Sequence, residues 1–264
     1  MDTGIACAFV AHERPLAEAI SAAAAAAERH GLRTWWALGD REIAAGRSHD
    51  PTLCLQRVAR ATASLRVALS GDLVAARGAA LRAKQLATLA WFAGGRLEIG
   101  LDLDDAPDTL ALPDVAAASG DALVTDRLLA MRALWSEDRA SYAGSSVAFD
   151  GAIALPKPPG RGLRWHVRPT DTDRLAGVIA TAGAPDGWLH WHGDAAGLAT
   201  AADQVAAAHG PGAEALQCTW FVDADRFPEV CDAADRAGVS ELVAVFEHVP
   251  DPAEITALVE GQHA

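Results

Sequence analysis

Short apolar runs alternate with stretches of helical periodicity along the whole chain. "GIACAFVA" at 4–11 is apolar throughout and has strand length. "PLAEAISAAAAAAERHG" follows, with Pro15 in the first helical turn and Gly31 past the end, the usual punctuation of a helix. The same alternation then repeats. Further strands are predicted at 32–39, 65–71, 96–102, 163–169, 186–192, 215–223 and 240–248, with helices at 50–63, 79–95, 121–137, about 171–183, 195–209, 226–238 and 251–261. Eight strands, each followed by a helix, predict an α/β chain whose parallel strands close into a (β/α)8 TIM barrel, a single domain over 1–264. Continuous apolar strands suit a barrel wall covered by helices. The stretch 138–162, rich in Gly, Ser and Pro, is too long for an ordinary connection and is expected to be an irregular excursion over one end of the barrel.

Composition agrees with this and excludes some partners. A length of 264 residues suits one such barrel, and 51% hydrophobic residues can fill its core. A net charge of -13 repels phosphate backbones and argues against nucleic acid. Cys7, Cys54, Cys218 and Cys231 form no C-x-x-C pair and sit among apolar residues, so reduced core thiols are expected. With no basic leader segment, the expected compartment is the cytoplasm. The run "AISAAAAAAERH" is short and flanked by Glu18 and Glu28, which reads as a packed helix and not a membrane span.

Four segments, "HGLRTWWALGD", "LRAKQLATLAWFAGGRLEIG", "RALWSEDRASYAGSSVAFDGAIALPKP" and "APDGWLHW", together resemble one family, the bacterial-luciferase-like monooxygenases and F420-dependent oxidoreductases. "HGLRTWWALGD" is similar to that family's Gly-Phe-Asp-x-x-Trp-x-x-Asp-His segment. "LRAKQLATLAWFAGGRLEIG" resembles its Ala-Lys-Gln-x-x-Thr-Leu-Asp-x-x-Ser-Gly-Gly-Arg signature, with Lys84, Gln85, Thr88, Leu89, Gly94, Gly95 and Arg96 in place. "RALWSEDRASYAGSSVAFDGAIALPKP" resembles its Trp, Gly and Pro-Lys-Pro spacing, and "APDGWLHW" its Asp-Gly-Trp strand. The departures fall on cofactor motifs. Ala90 and Ala93 replace the signature Asp and Ser, Arg41 follows Asp40 where His is usual, and "LRWHVRPTDTDR" stands in place of a strand ending Gly-Gly-x-Ser. The resemblance implies a flavin- or deazaflavin-dependent oxidoreductase or monooxygenase acting on a small organic substrate, with coenzyme F420 or FMN as cofactor. The alternative is a degenerate barrel without cofactor that serves as a non-catalytic subunit or binding protein. The family also implies a homodimer, or a heterodimer with a paralogous barrel, through helices 15–30 and 79–92.

In such barrels ligands sit at the C-terminal strand ends. His12, a proton donor or a solvated loop residue, and Asp40, a pocket residue or a cap, are the catalytic candidates. Ser70, Asp102, Arg168 and Thr170 are the cofactor candidates. Asp102 and Asp104 form an acid pair, cap a helix or are simply solvated. Arg168, Thr170 and Thr172 suit a phosphate at a helix start, although Asp171 and Asp173 beside them oppose one. His190 and His192 have strand spacing that places both on one face, but no third ligand is evident and no metal is assigned. Trp36, Trp165, Trp191 and Trp220 are expected to pack the core, or to stack a ring on a flavin.

Overall fold

The computed structural model describes residues 1–10, 15–39, 48–72, 74, 78–103, 121–160, 162–169 and 171–261. Eight parallel strands form a closed barrel: β1 (Asp2–Cys7), β2 (Thr34–Ala37), β3 (Arg66–Asp72), β4 (Leu97–Asp102), β7 (Arg164–Arg168), β8 (Gly187–Trp191), β9 (Gln217–Asp223) and β10 (Glu241–Phe246). β5 (Ala140–Ala143) and β6 (Ala148–Ala152) form a separate antiparallel pair. The described helices are α1 (Leu16–Arg29), α2 (Pro51–Ala61), α3 (Ala79–Phe92), α4 (Asp121–Ser136), α5 (Thr172–Ala182), α6 (Ala195–His209), α7 (Phe227–Arg236) and α8 (Pro252–Gly261). β1 pairs with β2 and β10, so the ring has no free edge.

Side chains alternate across the wall. Ile5, Cys7, Trp35, Val67, Leu69, Ile99, Leu101 and Val167 pack outward in the large core under the helices. Ala6, Ala8, Trp36, Leu38, Ala68, Leu189, Phe221 and Val243 form a second apolar cluster inside the ring. Both faces are dry, which is why the strands read as unbroken apolar runs. Helix starts use short acceptors: Asp50, Asp171 and Asp194 cap α2, α5 and α6 by accepting from the amides of Leu53, Arg174 and Gly197 at 3.0, 2.8 and 2.9 Å. Asp171, whose charge spoke against a phosphate nearby, is thereby engaged with its own helix.

The residues that carry the sequence resemblance act largely as clamps. The Lys84 ammonium donates to the Leu155 carbonyl, and the Trp91 indole N–H donates to the Lys157 carbonyl at 2.6 Å. Lys157 donates to the carbonyls of Leu134, at 2.8 Å, and Glu137, satisfying the end of α4. Arg96 donates to the carbonyls of Ala59 and Thr62, both at 3.1 Å, and of Leu65.

The 138–162 stretch differs from expectation, because it contains the β5–β6 hairpin. Its strands are short and largely half-exposed, so no apolar alternation marks them. The hairpin is anchored to α4 through Asp126. That carboxylate accepts from the Tyr142 hydroxyl at 2.6 Å, from the Ser146 amide and hydroxyl at 2.7 and 2.5 Å, and from the Val147 amide at 3.1 Å. A Cβ on Gly144 would lie 1.6 Å from the same carboxylate, so only glycine fits there.

Cys7, Cys54 and Cys218 are buried and Cys231 is half-buried, all as free thiols. Burial pushes the Cys54 thiol up to about 11 and the Cys218 thiol up to about 12, which makes both poor nucleophiles. No described helix is long and apolar enough to cross a membrane.

Burial alone would raise the Asp126 carboxyl, but the hydrogen bonds from Ser146, Tyr142 and Val147 outweigh it and hold the group at about 2. A depressed carboxyl stabilises the fold above its unfolded value and loses that contribution as pH falls through the folded one. Asp126→Asn should therefore cost about 1–3 kcal/mol at neutral pH. In urea unfolding, the gap to wild type should narrow as pH falls from about 4 toward 2.

Candidate active site

The barrel interior is built in three tiers. Charged residues fill the floor, at the N-terminal ends of the strands. Arg66, the first residue of β3, reaches Glu98 of β4 at 3.4 Å, Glu241 of β10 at 3.3 Å and Asp2 of β1 at 3.4 Å, and donates to the Thr34 hydroxyl at 2.9 Å. Glu98 also meets Arg164 at 3.2 Å and His166 Nε2 at 2.8 Å, and Arg164 donates to the Gln217 side chain at 2.8 Å. The Trp36 indole N–H donates to Glu241 at 3.2 Å. Burial alone would raise Glu98, but His166, Arg66 and Arg164 hold it below the ordinary range, whereas burial wins at Glu241 and raises it despite Arg66. Gly187 makes room for this plug, since a Cβ there would stand 2.7 Å from His166 Nδ1.

Aromatic rings fill the middle. Trp36 lies edge-on to His166 at 5.6 Å and to Phe221 at 5.3 Å. Phe221 stacks on Trp191 at 4.1 Å with planes 4° apart. The column ends at the C-terminal mouth, where the Arg168 guanidinium lies 5.6 Å from the Trp191 ring centroid. Arg168 makes no hydrogen bond or ion pair with a described residue, so its donors remain available to an anion.

Around that end lie Ser70 and Asp102, each 2% exposed. Asp102 is thus a buried strand residue, not part of a solvated acidic rim, because β4 carries it inward beside Arg168, its register partner on β7. β3 is irregular between Leu69 and Asp72, a break in pairing of the kind that re-aims side chains beside sites. A Cβ on Gly39 would stand 2.2 Å from the Gly71 carbonyl, so the chain after β2 and the end of β3 can touch only through glycine. Of the six candidate residues, Ser70, Asp102 and Arg168 gather at this mouth, while His12, Asp40 and Thr170 lie outside the described residues, as does Asp104.

The two histidines of "HWH" do not share a face. β8 ends at Trp191, and His192 turns into the left-handed region at φ 55°, which breaks the alternation. His190 packs on the outer side, 6.4 Å from Trp188 and 6.1 Å from Trp220, its imidazole held below the ordinary range by burial and then by Arg168 and His192. His192 instead brings Nδ1 to 3.5 Å from Asp223 Oδ1. Among the described residues no three His, Cys, Asp or Glu side chains converge as a metal site.

Sequence analysis missed the floor plug and the His192–Asp223 pair. The plug left a signal: Arg66, Arg164 and Glu241 each open an apolar strand, and Glu98 comes second in its own. The pair left little, because it depends on one backbone angle.

The luciferase-like monooxygenase family model matches residues 1–226. An uncharacterized protein of Mycobacterium tuberculosis is 28% identical over 188 residues, 64% of this chain and 66% of that protein, and one of Mycobacterium bovis matches equally. The chain therefore spans slightly under two thirds of the length of these curated relatives. Among solved structures, monooxygenase RslO1 from Streptomyces bottropensis superposes with a TM-score of 0.79 at 14% identity, covering 98% of this chain and 97% of that one. The coenzyme F420-dependent tetrahydromethanopterin reductase of Methanopyrus kandleri gives 0.74 at 13% identity, covering 99% and 97%. The oxygenating constituent of 3,6-diketocamphane monooxygenase from Pseudomonas putida, in complex with FMN, gives 0.67 at 12%, covering 87% and 70%. At such identities the likeness is one of fold.

Breaking the floor plug gives a stability test. Arg66→Leu leaves Glu98 with Arg164 and His166 but strips Glu241 of its cation. The expected loss is about 3 kcal/mol, the low end for an orphaned buried charge, because Arg66 is partly solvated. Guanidinium unfolding of the variant against wild type measures it.

Proposed function

The chain belongs to the luciferase-like monooxygenase family, and we propose that it is a flavin- or deazaflavin-dependent oxidoreductase whose cofactor binds at the C-terminal mouth of the barrel. The observation that carries this is Arg168, laid over Trp191 with no described ion-pair or hydrogen-bond partner. A planar cofactor with an anionic tail fits that chemistry, because the guanidinium suits its phosphate. Ser70 and Asp102 are assigned to the cofactor's polar edge, Arg168 and Thr170 to its phosphate, and His12 and Asp40 to the reaction. The cofactor supplies hydride or oxygen chemistry when bound, and the protein supplies position and polarity.

A non-catalytic barrel is the alternative, favoured by the Phe221–Trp191 stack, which occupies the barrel interior beneath Arg168. Absorbance titration with FMN and with F420 separates the two. Binding of neither at about 100 µM, roughly 5.5 kcal/mol of affinity, favours the non-catalytic barrel. If either binds, Arg168→Ala should raise its dissociation constant about ten- to a hundredfold, the worth of one charged hydrogen bond. Unchanged binding in that variant would remove the site assignment and keep the enzyme.

The chain is also proposed to pair with a second copy of itself. Leu81, Trp91 and Phe92 on α3, with Ile153 and Leu155 alongside, are each 49–67% exposed. The Lys84–Leu155 and Trp91–Lys157 bonds tie these two segments into one surface. Together they leave on the order of 500 Å² of apolar area, toward the upper end of what a monomer shows. α1, the other helix expected at an interface, carries none of the large exposed apolar side chains. The double change Leu81→Glu with Phe92→Glu should convert a dimer into a monomer in light scattering, with circular dichroism unchanged.

A further inference from the structure

We propose that the gap between α4 and the outer side of β4 and β7 binds a small carboxylic acid with an apolar body, its carboxylate taken by Arg132 and Lys157. The site lies behind the barrel wall, near the N-terminal ends of the strands, and does not depend on the cofactor function proposed above.

A cavity of about 590 Å³ occupies this gap, within the roughly 300–1,000 Å³ usual for sites that take small molecules. Leu128, Arg132 and Trp135 line it from α4, at the i, i+4, i+7 spacing that puts side chains on one helix face. Ile99 and Trp165 line it from the wall, where they are register partners on β4 and β7. Lys157 and Leu163 come from the chain leading into β7. Ile99, Leu128 and Trp165 are buried, while Ser136, Gly160 and Gly162 are exposed. The cavity thus has a dry inner end and a solvent-facing rim.

Its charged groups are cations with neutral partners. The half-buried Arg132 guanidinium lies 5.2 Å from the Trp165 ring centroid and donates to the carbonyl of Ala182, the last residue of α5. Lys157 spends two of its three N–H donors on the carbonyls of Leu134 and Glu137. Neither cation forms an ion pair with a described residue. Burial lowers the Arg132 guanidinium below its ordinary value, and Asp186 only partly opposes this. Asp186 is itself engaged, accepting from the Trp165 amide at 2.9 Å and lying 3.7 Å from Arg164 Nε. Between Gly160 and Gly162 the sequence places Arg161, outside the described residues, which brings no carboxylate. Capping two helix ends accounts for the charge of Arg132 and Lys157, but it leaves most of the guanidinium fork and one ammonium donor unused.

These features select the ligand. An anion recovers what burial costs the guanidinium, and a carboxylate matches its planar fork with two oxygens. The Trp135 indole N–H and the Ser136 hydroxyl already donate to the Ala83 carbonyl at 3.0 Å and the Arg132 carbonyl at 2.9 Å, so few donors remain for the further oxygens of a phosphate. The inner end, with Ile99, Leu128, Leu163 and two indole rings, favours an apolar body about the size of a fused ring pair.

The test is calorimetric titration of the full chain with 2-naphthoate, with its uncharged isostere 2-naphthamide and with inorganic phosphate. 2-Naphthoate should bind with a dissociation constant at or below about 1 mM, and the amide about tenfold or more weaker. Inorganic phosphate should not displace the acid. Arg132→Gln should weaken the acid about ten- to a hundredfold and abolish its advantage over the amide. Ser136→Phe, which fills the rim and leaves both cations in place, should weaken acid and amide alike. Nitrogen-15 spectra of the indole N–H groups locate the site in wild type. The acid should shift the Trp135 and Trp165 signals, assigned with Trp135→Phe and Trp165→Phe, and leave Trp191 unshifted. Equal binding of acid and amide, or no binding of the acid by about 10 mM, leaves Arg132 and Lys157 as helix caps only and overturns the proposal. So does displacement of the acid by phosphate, by FMN or by F420, or a shift of Trp191 in place of Trp135 and Trp165. These readings are taken on wild type, so they decide even if Arg132→Gln, which also loses a helix cap, does not fold.

Discussion

Arg66 holds two buried carboxylates from different strands, and the rest of the barrel is arranged to make that tolerable. A closed ring of eight strands has an interior too narrow for water to solvate charge freely, so ions placed there must satisfy one another. Glu98 is shared among Arg66, Arg164 and His166, while Glu241 is shared between Arg66 and the Trp36 indole. Through Trp36 the plug is joined to the aromatic column, and through the column to the mouth. The position of the Arg168 guanidinium is thus set by packing that begins at the opposite end of the ring.

Much of the fold was legible because barrel strands bury both faces. A continuous apolar run between helical patterns is a strong signal, and all eight barrel strands fall within or next to the expected spans. The β5–β6 hairpin was not legible, since its hold on α4 is a hydrogen-bond cluster on Asp126 and not an apolar pattern. The mouth was legible in part. Strand ends pointed to Ser70, Asp102 and Arg168, but spacing could not tell a buried Asp102 from a solvated one. The placement of His192 followed from a positive φ that no alternation rule anticipates.

The matching motifs deserve a physical interpretation as well. Lys84, Arg96 and Lys157 fasten carbonyls at helix ends and loops, away from the mouth. Such clamps serve the barrel whatever chemistry it hosts, and the fold is shared at TM-scores near 0.7–0.8 with chains only 12–14% identical. Residues that choose cofactor and substrate are free to differ while these stay.

The floor plug also bears on the order in which the protein can be made. Its members come from β3, β4, β7 and β10, so charges at positions 66, 98, 164 and 241 meet only once nearly all of the chain is available. β10 is the strand that fits between β1 and β9 and brings Glu241 to Arg66. A chain emerging from the ribosome holds Arg66 and Glu98 long before that strand arrives, and until then its two sheet edges, β1 and β9, remain open. Ring closure and the meeting of Glu241 with Arg66 both await β10, so the last strand of the ring completes the wall and the floor together.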